Sequence, residues 1–214
     1  MTPSPLPLLI LTVGAVGVLH TIVPDHWAPI AIIARNRRWS QSQTARAAAI
    51  AGLGHTVSTL LIGAAAWGAG ALAAQRFGRA VDIAAGIALV TFGLWTTIAG
   101  VRELREPLPQ DVDEAERALK RGHSRTALLL IVGSSPSVEA LPAFFAASPF
   151  GVAALLIMAI VFAVTTIGTY VVTCMVSAAG LSRLGYPSIE RYGEVISGVF
   201  VTAIGLVFLL WFRS

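Results

Sequence analysis

Six stretches of this chain are apolar almost without interruption, at about residues 6–34, 44–74, 80–101, 126–147, 150–181 and 194–212. At ~1.5 Å of rise per residue each is long enough to cross the ~30 Å hydrocarbon core of a bilayer as a helix. The pattern predicts an all-α integral membrane protein with six transmembrane helices. The first stretch would reach about 44 Å as one straight helix. It therefore predicts a broken first helix, with Pro24 and Pro29 as the residues able to break it. Gly and Ala are frequent in all six, which lets helices approach closely where lipid surrounds them.

The polar positions divide the chain in two. Residues 102–125 hold six basic and six acidic side chains and His123, and form the one long aqueous segment. The expected organisation is a three-helix unit at 1–101, a charged loop at 102–125 and a second three-helix unit at 126–214. The two units repeat each other at an offset near 113. Asp82-Ile-Ala-Ala-Gly86 matches Glu194-Val-Ile-Ser-Gly198, and Gly93-Leu94 matches Gly205-Leu206. Pro29 matches Pro142, which sets His26 opposite Glu139, and the run from Gly54 to Thr59 is close to that from Gly168 to Thr173. Three spans is an odd number, so two such units must be inserted in opposite senses. The expectation is a 3+3 inverted repeat, an architecture that transporters use with their substrate site at midplane on interrupted helices.

Composition sharpens the class. Of the 214 residues 56% are hydrophobic and 12% charged, against about 25% charged in a soluble domain. The mean hydropathy is +0.77. A net charge of +4 would suggest nucleic acid in a soluble protein. Here the basic residues sit between the apolar stretches, so the expected partner is the lipid bilayer and not nucleic acid. The segments around 35–46, 102–125 and 182–191 carry 12 of the 15 Lys and Arg. The positive-inside rule puts that side in the cytoplasm and both termini outside it. The single cysteine, Cys174, excludes an intrachain disulfide and reads as packing. Nothing in the sequence indicates an oligomer.

Against this apolar background, His20, Asp25, His26, His55 and Glu139 stand out as ionisable groups inside spans, where such groups are costly and rarely lack a task. Counted from the ends of their spans, His20, His55 and Glu139 reach similar depths of ~17–22 Å, near midplane. His26 would lie nearer the cytoplasmic side unless the break turns it inward. On an unbroken helix Asp25 and His26 would point about 140° and 240° away from His20. Convergence of the three requires the proline break, with His55 as partner from the second span. Imidazole together with carboxylate suits Ni²⁺, Co²⁺, Zn²⁺ or Cu²⁺ better than Mg²⁺ or Ca²⁺. A set of Ser and Thr residues (Thr56, Ser58, Thr59, Ser134, Ser135, Ser137, Thr165, Thr166 and Thr169) could add ligands or supporting contacts, while most of them read as ordinary polar helix contacts. Asp82 and Glu194 read as helix-end residues.

These residues carry a resemblance. His20-x4-Asp25-His26 resembles the HX4DH signature of the nickel/cobalt transporter family, and the run from Gly54 to Ser58 is similar to that family's Gly-His-Ser/Thr motif in the next helix. The run from Gly133 to Glu139, after the charged segment, resembles its third motif, with Ser135 where the family carries Asp and with Pro136 added. The chain shows six apolar stretches where that family has eight. The resemblance implies a permease for Ni²⁺ or Co²⁺, with Zn²⁺ fitting the same donors. The ion would be cargo, with no permanently bound cofactor. It further implies His20, Asp25, His26 and His55 as ligands or selectivity residues, and Glu139 with them. No nucleotide-binding or hydrolase motif of the HExxH kind occurs, so an enzyme is not expected. Two other readings stay open at this point: a membrane-embedded metalloenzyme, and a transporter of another small solute on a related repeat.

Overall fold

The structure is a computed structural model, and it describes residues 4–104, 136–179 and 187–211. Among these every regular element is helical. Helix α1, Leu6–Thr21, starts on Pro5, with Pro7 in its first turn where no backbone donor is needed. Its buried residues, Leu9, Thr12, Val13, Val16, Gly17, His20 and Thr21, recur every three to four positions and make one inward face. The chain then breaks. Val23 is extended (φ −65°, ψ 135°), and α2, Pro24–Asn36, begins on Pro24. The two helices are bent by 44°. Of the two prolines expected to break the span, Pro24 does so. Pro29 continues inside α2, where its missing N–H affects only the carbonyl of Asp25, in the first turn.

Helix α3, Gln41–Phe77, opens on a capping box in which Ser40 and Gln43 each satisfy the other's backbone N–H. A single residue, Gly78 at φ +52°, turns the chain into α4, Arg79–Glu103. In the second half a 3-10 turn at Val138–Ala140 leads into the short helix α5, Leu141–Ala146, and a second such turn, Ser148–Phe150, leads into α6, Gly151–Ala178. Helix α7, Pro187–Trp211, closes the described chain.

Four segments are long and apolar enough to cross a membrane: Gln41–Phe77, Ala80–Arg102, Ser148–Ala178 and Tyr192–Trp211. The bent pair α1 and α2 makes a fifth if it counts as one span. The described residues are thus all-helical, with helices of the length and apolarity that a membrane protein needs. The fourth predicted stretch, 126–147, differs in its described part from the simple span its hydropathy suggests. Its described part consists of a short turn and a six-residue helix, and residues 126–135 lie outside the described residues. So does the charged segment from residue 105 onward. Large apolar side chains such as Leu61, Leu72, Val164 and Leu210 are exposed, as expected of a surface that faces lipid rather than water.

Packing follows the small residues. Helix α4 lies against α7 over most of its length. A β-carbon on Gly93 would run into the Thr202 backbone, and one on Gly205 into that of Val90. One on Gly198 would meet Thr97 and Thr96, and one on Gly86 would meet Leu209 and Phe208. Each contact maps onto the other of its pair when 112 is added to or subtracted from the residue numbers. Helices α1 and α3 pack on α6 in turn. Gly17 admits Thr165 and Thr166, and Gly52 admits Tyr170. Phe144, Phe162, Leu9, Val16 and Phe208 share one buried cluster, and Trp27, Ile30, Ala48, Tyr170 and Cys174 another.

Candidate metal centre

The break between α1 and α2 determines where the histidines on either side of it point. With Pro24 unable to donate, the carbonyl of His20 accepts from Val23 instead (3.3 Å). The carbonyl of Ile22 accepts from the indole Nε1–H of Trp27 (3.0 Å). Trp27 thereby ties the first turn of α2 back onto the end of α1, and the Cys174 thiol on α6 donates to the Trp27 carbonyl (3.6 Å). Gly193 of α7 backs the break from outside, leaving just enough room for Val23 and the Leu19 carbonyl. The consequence is that His26, which a straight helix would carry away from His20, folds back toward it.

Three imidazoles meet there. His20 from α1, His26 from α2 and His55 from α3 are all buried, His55 completely. Their ring centroids are 4.5 Å (His20 to His26), 5.5 Å (His20 to His55) and 5.1 Å (His26 to His55) apart. One donor nitrogen from each can be chosen so that all lie within 4.8 Å of one another. An ion bound at ~2.0–2.1 Å needs donors about 3.4 Å apart in a tetrahedron, so a modest inward turn of the rings closes the set. The shortest approach is already tighter, with His20 Nε2 and His26 Nε2 2.9 Å apart.

The surroundings are partly apolar and partly polar. Phe162 and Tyr170, two turns apart on α6, flank His55 at 6.5 and 6.0 Å between ring centroids, and Tyr170 also lies 6.3 Å from His26. From the second half of the chain, Ser137 Oγ lies 2.7 Å from His55 Nε2, and Glu139 Oε1 lies 3.5 Å from His20 Nδ1. The hydroxyls of Thr21, Thr56 and Thr166 are buried and have no hydrogen-bond partner among the described residues. Leaving a hydroxyl so costs about 1–3 kcal/mol.

Of the five residues singled out in the sequence, His20, His26 and His55 come together. Glu139 is buried beside His20 but is not a member of the set of converging donors. The side chain of Asp25 lies outside the described residues, as does His123. The aromatic flank was not read from the sequence. Phe162, Thr166, Tyr170 and Cys174 recur every four residues and are all buried, a signal that identifies a packed face but not what it packs on. Trp27 gave no signal beyond its place next to His26.

The fold and the site together define a helical membrane protein with a buried three-imidazole cluster at a broken helix. No protein-family model matches the chain, and no curated protein or solved structure is significantly similar to it.

The tie made by Trp27 can be tested. Trp27→Phe keeps the ring and removes the donor, which costs about 1 kcal/mol. If that loss falls on the bent arrangement and the three imidazoles hold a metal ion, Co²⁺ affinity of the purified protein drops about fivefold. Affinity equal to wild type in a calorimetric titration would show that the break holds without it.

Proposed function

We propose that this chain is a permease for divalent transition-metal ions, with Ni²⁺ or Co²⁺ as cargo, built from six spans as a 3+3 inverted repeat. The observation that carries the reading is the convergence of three buried imidazoles from α1, α2 and α3 on one spot. Nothing in packing requires three histidines to meet in an apolar interior, whereas an ion binding site does. Imidazole suits Ni²⁺, Co²⁺ and Zn²⁺ in preference to hard cations. The HX4DH pattern and the His55 motif point to the same cargo.

The contacts between α4 and α7 support the repeat. Gly86, Gly93, Gly198 and Gly205 meet their neighbours in pairs that exchange on a shift of 112, which two helices related by a two-fold axis in the membrane plane would produce. On this reading the stretch at 126–147 is the counterpart of the broken first span. The distribution of Lys and Arg then puts the charged segment in the cytoplasm and both termini outside.

The mechanism is alternating access. His20, His26 and His55 replace hydration water around the ion. Movement of one repeat against the other opens the site to either side. A divalent ion moving inward gains about 4.6 kcal/mol per 100 mV of membrane potential, which favours uptake.

The test is metal accumulation in cells expressing wild type or His20→Ala, with Ni²⁺, Co²⁺ and Zn²⁺ compared side by side. Wild type is expected to raise Ni²⁺ or Co²⁺ above background, and His20→Ala to return it to background. Because only a neutral imidazole offers a lone pair, accumulation falls as the medium is made acidic. Equal accumulation by both proteins, each present in the membrane, would reject the proposal.

A further inference from the structure

Two of the three imidazoles are held from the far half of the chain. Ser137 and Glu139 sit two residues apart, at the 3-10 turn Val138–Ala140 that precedes α5. Both are buried, Ser137 completely. Ser137 is attached to α3 at two points. Its backbone N–H donates to Thr59 Oγ1 (2.9 Å), and its Oγ meets His55 Nε2 (2.7 Å). Thr59 lies one turn beyond His55 on the same buried face, so the turn is fixed to the helix that carries the ligand and grips the ligand itself.

Glu139 acts on the other ring. The two nitrogens of His20 face different partners. Nδ1 faces Glu139 Oε1 at 3.5 Å, and Nε2 faces the imidazole of His26 at 2.9 Å. Nε2 is therefore the His20 nitrogen that faces a second candidate donor. A carboxylate on Nδ1 favours the tautomer that keeps the proton there and the lone pair on Nε2, and it raises the basicity of that lone pair. The Glu139 carboxylate itself does not belong to the donors that converge within 4.8 Å.

We infer that Ser137 and Glu139 are positioning residues that hold His55 and His20 from outside the coordination sphere. The first half of the chain then supplies the imidazole donors, and the second half sets how firmly two of them are presented. A displacement of the turn at 137–140 away from α3 releases both rings together, so ion affinity drops as the halves separate. The inference rests on the metal-binding reading above.

The experiment uses the full chain purified in detergent and titrated with Co²⁺, followed by visible absorption and by X-ray absorption at the cobalt edge. Wild type, Ser137→Ala, Glu139→Gln, Glu139→Ala and His20→Ala are compared, with size-exclusion profiles confirming folded protein. Ser137→Ala and Glu139→Ala are expected to bind 10–100-fold more weakly, with the imidazole contribution to the cobalt spectrum unchanged. Glu139→Gln, which still offers Nδ1–H an acceptor, recovers part of the loss. Disappearance of a carboxylate oxygen from the cobalt sphere in Glu139→Gln would make Glu139 a ligand and overturn the inference. So would affinities equal to wild type in both Ser137→Ala and Glu139→Ala. If His20→Ala binds Co²⁺ as wild type does, the metal site itself is wrong and the inference falls with it.

Discussion

His55→Ala is expected to weaken Co²⁺ binding about 100-fold or more. Tight protein metal sites gain on the order of 10–16 kcal/mol from about four ligands, so one imidazole accounts for roughly 3 kcal/mol, which is a hundredfold in affinity. The loss has no substitute nearby. His55 is completely buried, and the rings that flank it, Phe162 and Tyr170, offer no nitrogen. The same substitution removes the group that Ser137 Oγ contacts, so the far half of the chain loses its hold on α3 there as well. His123→Ala, in the charged segment, serves as the control and should bind as wild type does. Equilibrium titration of the purified proteins decides the matter. A change of less than threefold for His55→Ala would remove it from the site.

The second large effect falls on the α4 and α7 interface. Gly198→Ala puts a methyl group against the backbone nitrogen of Thr97 and the hydroxyl of Thr96. A flexible side chain could swing away, but a helix backbone cannot, so the two helices must separate. Overpacking of this kind costs about 1–3 kcal/mol. At about 2–4 °C per kcal/mol for a chain of this size, the upper end corresponds to a fall in Tm of roughly 6–12 °C. Gly205→Ala, against Val90 and Leu89, should behave alike. Gly68, where an added β-carbon meets nothing within 4 Å, should accept alanine without loss. Thermal unfolding in one detergent compares the three, and an unchanged Tm for Gly198→Ala would show that the contact yields easily.

Both effects concern residues that the sequence brought forward, and for different physical reasons. The depth of His20 and His55 can be counted from span ends because helical rise is constant, so their meeting was legible. His26 was singled out together with the break that could bring it in, but the direction of that break was not legible, because it is a tertiary property. It depends on Val23 being extended, on the Trp27 indole reaching Ile22 and on Gly193 leaving space behind. Glu139 was found at the right depth, but depth cannot tell a group that points at an ion from one that points at a ligand's outer nitrogen. The described part of the stretch at 126–147 is a turn and a short helix, which hydropathy does not register because it records how long a segment stays apolar, not how its backbone runs. The turns at Val138–Ala140 and Ser148–Phe150 arise from local features, Pro136, Pro142 and Pro149 among them, that leave mean hydropathy almost untouched. The glycine spacing of α4 and α7 was visible in the sequence, while its role in seating one helix on the other needed coordinates.

The glycine seats have a further consequence. Gly93 receives Thr202 as Gly205 receives Val90, and Gly198 receives Thr97 as Gly86 receives Leu209. Helices α4 and α7 therefore offer each other the same kind of seat at both ends of their contact, so a methyl group added at one glycine loads the interface in the same way as one added at its counterpart 112 residues away.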